Sequence, residues 1–157
     1  MSFGPKALIV PTETILPLRW RVLRPNAPSP DEARFPEDEI FPNWHIGIFP
    51  GTLLVPRNDQ LMCCATFVLT SAGTIVAWQL RGMATAPEQR GRGLGRILLT
   101  RAEEYILSLS RVAPVILWCN ARIEAVEFYE KLGWKKEGIE FIIKGIGRHY
   151  RMTRRLR

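Results

Sequence analysis

The chain has 157 residues and a formal net charge of +7, with 46% hydrophobic and 24% charged residues. A chain of this size and balance can bury a core without disulfides or metals, so we expect a single domain over residues 1–157. No apolar run approaches the ~20 residues of a membrane span, which argues against a membrane protein. The positive charge indicates an anionic partner, which could be nucleic acid, an acidic substrate or a polyanionic cofactor.

The N-terminal residues and the cysteines indicate the compartment. Residues 1–10 contain a single basic residue, Lys6, and their apolar run is too short for a secretory signal. The three cysteines are Cys63, Cys64 and Cys119, an odd number without Cys-x-x-Cys spacing. These features predict reduced core thiols in a cytoplasmic protein.

The first third of the chain predicts a strand, a helix and a long loop. Ala7 to Val10 is apolar enough for a strand, and Thr14 is a candidate N-cap for a helix whose apolar residues recur at helical spacing. The segment Arg24 to Pro36 contains four prolines and cannot continue that helix. A loop of this length suggests a function, such as forming a wall of a substrate site.

The next segment predicts an antiparallel meander. Turn residues separate three apolar runs, and Ser71 to Gly73 favours a hairpin between the last two. The runs are Trp44 to Phe49, Leu61 to Leu69 and Thr74 to Met83.

The remainder alternates helices and strands. Apolar residues at helical spacing predict a helix from Leu94 to Leu109, and Val115 to Cys119 predicts a buried strand. Asn120 is a candidate cap for a second helix that Gly133 would end. Two terminal strands are predicted at Glu140 to Ile143 and at His149 to Thr153. This order of elements predicts a mixed α/β fold.

Residues 83–99 contain a strand end, a loop rich in glycine and arginine, and the start of a helix. The first turn of a helix has unpaired N–H groups and the positive end of the helix dipole, so the loop predicts an anion site. Glycines allow close backbone approach and arginines add charge. The dinucleotide-binding pattern requires a glycine at position 96, where this chain has an arginine. The nucleotide-triphosphate loop requires Gly-Lys followed by Ser or Thr, and the sequence contains no such run.

Two motifs resemble the GNAT superfamily of acyl-CoA-dependent N-acetyltransferases. The first is Arg90-x-x-Gly93-x-Gly95, and the second is the segment from Asn120 to Trp134 that contains Phe128-Tyr129. Further likeness near both ends resembles an uncharacterised bacterial subgroup of that superfamily. The resemblance implies a GNAT-like fold with a central, mostly antiparallel twisted sheet that is splayed between strands 4 and 5 and flanked by helices.

The same resemblance implies acetyl-CoA as co-substrate, with no metal. A bulge on the fourth strand would bind the pantetheine arm through Met83, Ala84 and Thr85. Asn120 would also meet that arm, and Tyr129 would protonate the departing thiolate. The pyrophosphate would lie on Arg90, Gly91, Arg92, Gly93, Leu94, Gly95 and Arg96. From the residues alone, Asn120 could be only a helix cap and Tyr129 only a core aromatic.

The general base is not evident from the sequence. Many members of the superfamily carry a glutamate on the fourth strand, but residues 75–84 contain no carboxylate. The candidates are His149, His45, Glu140 and Glu137, with His149 preferred because it lies in a C-terminal motif that resembles the subgroup. A structural role for His149 stays open at this point.

The leading hypothesis is an N-acetyltransferase that acts on a primary amine of a small molecule or a protein. One alternative is a non-catalytic acyl-CoA sensor, which the missing carboxylate suggests. Another is an enzyme directed to RNA or aminoacyl-tRNA through the basic C-terminus, although no basic-aromatic pattern favours nucleic acid. The sequence leaves open a homodimer.

Overall fold

The structure is a computed structural model that describes residues 3–52, 54–111 and 114–157. Its strands are β1 Lys6–Val10, β2 Trp44–Phe49, β3 Cys63–Leu69, β4 Val76–Thr85, β5 Val115–Arg122, β6 Lys135–Ile143 and β7 Gly147–Arg155. Its helices are α1 Thr12–Leu23, α2 Leu94–Leu109 and α3 Val126–Lys131. Short 3₁₀ turns lie at Pro30–Ala33, Asn58–Gln60, Pro87–Gln89 and Ile123–Ala125.

The seven strands form one sheet in the order β1-β2-β3-β4-β5-β7-β6. All neighbouring strands are antiparallel except β4 and β5, which are parallel. These two strands pair only where residues 76–79 meet residues 115–118. Both continue beyond that point without pairing, so the sheet opens into a gap between them. The predicted mixed α/β fold and its splay between strands 4 and 5 are confirmed.

The sheet is covered on both faces, which explains the continuous burial of β2 and β3. Alternate side chains of a strand point to opposite faces. Phe67 and its alternating neighbours pack in the larger cluster with Leu98 and Ile106 of α2. Cys64 packs in a second cluster with Ile15 of α1. The two helices therefore lie on opposite faces of the meander and leave the β4–β5 gap accessible from its end.

Two predicted helix caps are wrong. Helix α1 begins at Thr12 after Pro11, so Thr14 lies inside the helix and is buried. Asn120 lies within β5, opposite Arg151 of β7, and does not cap a helix. Strand β5 continues to Arg122 because β7 pairs along its length, and this long-range pairing overrides the local capping preference.

The other predicted elements are confirmed with small changes in their bounds. The meander, the helix after the glycine loop and both terminal strands lie where they were expected, and the terminal strands are longer. The proline-rich segment is irregular apart from the turn at Pro30–Ala33. Within the described ranges, no helix is both long and apolar enough to cross a membrane.

Candidate active site

Two adjoining cavities occupy the gap between β4 and β5. The loop cleft, of about 520 Å³, lies between the glycine loop and α3. The sheet cavity, of about 250 Å³, lies between α1 and the ends of β4, β5 and β7. Met83, Ala125 and Tyr129 line both cavities. A molecule that extends along the loop cleft would therefore meet one held in the sheet cavity at these three side chains.

The glycine loop leaves its backbone accessible in the loop cleft. Gly91 and Gly93 have φ angles of +74° and +73°, and open space surrounds the position of a side chain at either residue. Gly93 is the N-cap of α2, and no side chain caps that helix. The first-turn N–H groups are thus available to an anion, as the loop predicts.

Gly95 differs from Gly91 and Gly93, because its close packing leaves no room for a side chain. A Cβ atom at this residue would lie 3.0 Å from Met83 Cε and 3.0 Å from Phe128 Cζ. Its absence lets α2 pack closely against Phe128, so Gly95 shapes the wall of the loop cleft. Close backbone approach at Gly95 stays a prediction, and the packing against Phe128 is a further reason for glycine at this residue.

Most of the predicted cofactor residues line the loop cleft, and three do not. Ala84 is buried in the second core cluster because its side chain alternates with those of Met83 and Thr85. The Arg92 side chain hydrogen-bonds to Gln89. Asn120 lines the sheet cavity. The residues that do line the cleft are Met83, Thr85, Arg90, Gly91, Gly93, Leu94, Gly95, Arg96 and Tyr129.

Strand β4 carries a bulge where the two cavities meet. Cys64 pairs with Ala84 and Thr66 with Arg81, so Gly82 and Met83 together oppose a single residue of β3. Gly82 has a φ of +58°, and a Cβ atom there would lie 2.8 Å from Arg19 Nε. The bulge therefore begins one residue before the predicted range of 83–85.

Tyr129 lies at the junction of the cavities and is only 6% exposed. Its hydroxyl donates a hydrogen bond to Met83 Sδ at 3.7 Å. Burial, and then the nearby Cys119 thiol, raise the pKa of Tyr129 well above its usual value. The phenol is consequently held in its protonated form, in which it can donate a proton.

His149 lines the sheet cavity and is 3% exposed. Its Nδ1 lies 2.7 Å from the carbonyl oxygen of Gly147. Because a carbonyl can only accept, Nδ1 carries the hydrogen, and in the neutral ring Nε2 keeps its lone pair. The ring stacks on Phe141. This arrangement allows Nε2 to accept a proton.

The three other candidate bases do not line either cavity. Both ring nitrogens of His45 are bonded within the core, to Thr66, to Thr12 and to the Asp38 carbonyl oxygen. Glu140 pairs with Arg148, and Glu137 is exposed on β6. Of the four candidates, only His149 has access to the place where a substrate could lie.

The sheet cavity has an arginine-rich lining. Arg19, Arg24, Arg81 and Arg122 contribute to it, and none of its described lining residues is acidic. Phe35 from the proline-rich segment also lines the cavity, and the guanidinium groups of Arg19 and Arg81 lie over its ring at 4.0 and 4.4 Å from the centroid. The prediction that this segment walls a site agrees with that position.

Several lining residues have no signal in the sequence. Arg24 is the C-cap of α1 and Arg122 ends β5, and only the fold brings them to one cavity. Ala125 and Phe128 lie within the second motif, so the motif could have indicated them. In the described part of the chain, no group of three or more His, Cys, Asp or Glu side chains could hold a metal ion.

Comparison with known proteins agrees with this geometry. The profile of the Acetyltransferase (GNAT) domain matches residues 57–156. The chain is 37% identical to the uncharacterised N-acetyltransferase YitI of Bacillus subtilis (strain 168), over 94% of each protein. It is similar in fold to ElaA of Escherichia coli, with a TM-score of 0.70, 20% identity and coverage of 97% of this chain and 99% of ElaA. An aminoglycoside 6'-N-acetyltransferase complexed with coenzyme A gives a TM-score of 0.70 at 14% identity, over 96% of this chain and 97% of that one.

Proposed function

The chain belongs to the GNAT acetyltransferase family, and we propose that it transfers an acetyl group from acetyl-CoA to the primary amine of a small molecule or a protein. The observation that carries this proposal is the meeting of the loop cleft and the sheet cavity at Tyr129. One cavity would hold the donor and the other the acceptor, with the reacting atoms at their junction.

The loop cleft suits acetyl-CoA by its charge and by its free backbone N–H groups. Its pyrophosphate would accept hydrogen bonds from the free N–H groups at the start of α2, with Arg90 and Arg96 adding positive charge. The pantetheine arm would pass the β4 bulge at Met83, Ala84 and Thr85. The Asn120 amide oxygen is buried without a hydrogen-bond partner among the described residues, so we assign it to an N–H group of that arm.

The acceptor amine must lose a proton to react. At pH 7, a lysine-like amine with a reference pKa of ~10.4 costs roughly 5 kcal/mol to deprotonate, and an α-amino group near ~8 costs about 1.4 kcal/mol. We assign His149 Nε2 as the acceptor of the amine proton, because the hydrogen bond to Gly147 leaves the lone pair of Nε2 free. The neutral amine then attacks the thioester carbon and forms a tetrahedral intermediate.

Tyr129 would complete the reaction. When the carbon–sulfur bond breaks, the CoA sulfur takes the hydroxyl proton of Tyr129. The attacking nitrogen then carries one proton more than the amide product, and the loss of this proton restores the Tyr129 hydroxyl. On reference values of ~10 for tyrosine and ~8.5 for a thiol, the transfer from tyrosine to sulfur is uphill by about 2 kcal/mol. Burial raises the pKa of Tyr129 further. The same burial also destabilises the thiolate, which becomes a stronger base, so the two effects oppose each other.

A thiol-release assay with acetyl-CoA tests the proposal, using amino acids, polyamines, aminoglycosides and peptides as acceptors. Calorimetry measures acetyl-CoA binding in parallel. We expect binding together with amine-dependent release of CoA. Binding without release for every amine would instead support an acyl-CoA sensor, and absence of binding would overturn both assignments.

A further inference from the structure

The arginines of the sheet cavity fall into two groups. Arg19 makes a bidentate pair with Asp38, at 2.7 and 3.0 Å, and is fully buried. Arg81 pairs with Glu37 at 2.9 Å. These two guanidinium groups are therefore neutralised by carboxylates that do not themselves line the cavity.

Arg24 and Arg122 are different. Neither side chain has an ion pair or a hydrogen bond with any part of the chain that the structure describes. They project from opposite walls, because Arg24 follows α1 and Arg122 ends β5. Their forked donors match the oxygen pairs of a carboxylate or a phosphate.

Arg122 also lies beside the proposed base. It pairs directly with His149 across the β5–β7 ladder, and directly opposite residues of an antiparallel pair place their side chains on one face. An anion held by Arg122 would therefore lie close to His149. This position suits an acceptor whose anionic group is near its amine.

We propose that the sheet cavity selects a small acceptor that carries a carboxylate or phosphate beside its primary amine, with Arg24 and Arg122 holding the anionic group. The inference rests on the proposed acetyl transfer and names the class of its acceptor. The cavity volume is about 250 Å³, which is at the small end of ligand pockets, since these typically start at about 300 Å³. This size suits a small acceptor. A polycationic acceptor would meet unbalanced positive charge in the same space.

The unbalanced charge also assists the chemistry. Nearby positive charge disfavours an ammonium relative to the free amine. The arginine lining would thus promote loss of the amine proton in a site where β4 supplies no carboxylate. The anionic group of the acceptor supplies the attraction that keeps such a molecule bound.

Matched acceptor pairs test the selectivity. We compare kcat/KM for amino acids against their uncharged carboxamides, and for 2-aminoethyl phosphate against ethanolamine, with spermidine as a cationic acceptor. We expect the anionic member of at least one pair to be favoured by about 10-fold or more, as charge-assisted hydrogen bonds allow. The two pairs distinguish a carboxylate from a phosphate.

Variants assign the effect to the arginines. Arg122→Gln and Arg24→Gln should raise KM for the anionic acceptor. The ratio of kcat/KM for the anionic acceptor to kcat/KM for its uncharged partner should fall toward unity, while the affinity for acetyl-CoA is retained. Arg57→Gln is the control, because Arg57 is exposed and lines neither cavity. A preference for the carboxamide or for spermidine, or an unchanged preference in both variants, would overturn the inference.

A binding measurement separates this inference from the proposed function. Calorimetry on the CoA-saturated protein compares N-acetyl amino acids with their carboxamides and needs no turnover. Tighter binding of the acids that depends on Arg122 supports the inference even if no amine is acetylated. Failure of every anionic ligand to bind or react would overturn it.

Discussion

At the scale of single residues, the proposed site depends on two protons held in defined places. Burial keeps the Tyr129 hydroxyl protonated, and the Gly147 carbonyl directs the hydrogen of His149 to Nδ1. The one side chain can donate a proton and the other can accept one. They line the same cavity from α3 and from β7, so the fold brings a proton donor and a proton acceptor together from two different elements.

The Tyr129→Phe variant tests the proton donor. It removes only the hydroxyl, so we expect kcat to fall by about 100-fold or more, in the range typical of general acid catalysis. The affinity for acetyl-CoA should change little because the ring still fills the same place. Thiol-release kinetics and calorimetry measure the two quantities. Tyr105→Phe is the control, since its ring packs on Trp44 away from both cavities. Unchanged kcat in Tyr129→Phe would remove the residue from the mechanism.

The His149→Asn variant tests the proton acceptor. The asparagine amide can still donate to the Gly147 carbonyl, but it lacks the Nε2 lone pair. We expect kcat near neutral pH to fall by about 100-fold. The deficit should shrink as the pH rises, because the free amine then forms without a base. A deficit that stays constant with pH would indicate a structural role.

At the scale of elements, the β4 bulge and the start of α2 line the loop cleft, which we propose as the donor half of the site. The helix begins at Leu94 after Gly93 in the left-handed conformation, and the bulge places Met83 at the junction of the cavities. The two features are adjacent in sequence, since the loop connects β4 directly to α2. A short stretch of chain thus builds most of the loop cleft.

This locality explains which features can be predicted from the sequence. Helix α2 and the meander carry their signals in contiguous residues, and these predictions are confirmed. The glycine loop is equally local in sequence, and its role as an anion site stays a prediction. Thr14 and Asn120 have the chemistry of helix caps, but the surrounding strands and core determine their positions. Arg24 and Arg122 come to one cavity only through the fold, so no local pattern indicates the sheet cavity. The roles of the site residues, the single domain and the cytoplasmic location stay predictions.

The Gly93→Glu variant tests the loop. A side chain at this residue would occupy the open cleft, and its charge would repel the pyrophosphate. We expect calorimetry to show no measurable acetyl-CoA binding. The control is Gly138→Glu on β6, because Gly138 has a similar φ of +74° and open surroundings. Both variants carry a comparable backbone strain of about 1–2 kcal/mol. Equal loss of binding in both would show that strain, and not the site, causes the effect.

At the scale of the whole molecule, one buried polar network connects the wall of the sheet cavity to the core. Arg19 of α1 bonds to Asp38, to the Ala33 carbonyl and to Thr66 of β3. Asp38 also accepts a hydrogen bond from the Phe35 N–H. The network therefore connects α1, the proline-rich segment and the sheet. It holds Phe35 in the wall of the sheet cavity, so the shape of that cavity depends on the integrity of these bonds.

His45 extends this network and makes it sensitive to acid. Burial, the largest effect, lowers the pKa of His45, although the nearby Asp38 opposes the shift and Arg19 adds to it. The Asp38 carbonyl accepts from Nε2–H, and the Thr66 hydroxyl, which already accepts from Arg19, donates to Nδ1. If Nδ1 also became protonated, its hydrogen would point at the Thr66 hydroxyl. The hydrogen of that hydroxyl would then lose Nδ1 as its acceptor. The folded protein thus favours neutral His45.

The sign of the pH effect follows from linkage. The unfolded chain protonates His45 below its reference pKa of ~6.5, whereas the folded chain does so only at lower pH. The stabilisation is therefore complete above ~6.5 and is lost as the pH falls toward the folded pKa. Urea unfolding between pH 7.5 and 5.5 should show the free energy of unfolding decrease, with a contribution from His45 of at most about 1.4 kcal/mol per pH unit. His45→Gln should be less stable at pH 7.5 but should show a flatter decline. An equally steep decline in the variant would assign the acid sensitivity to other groups.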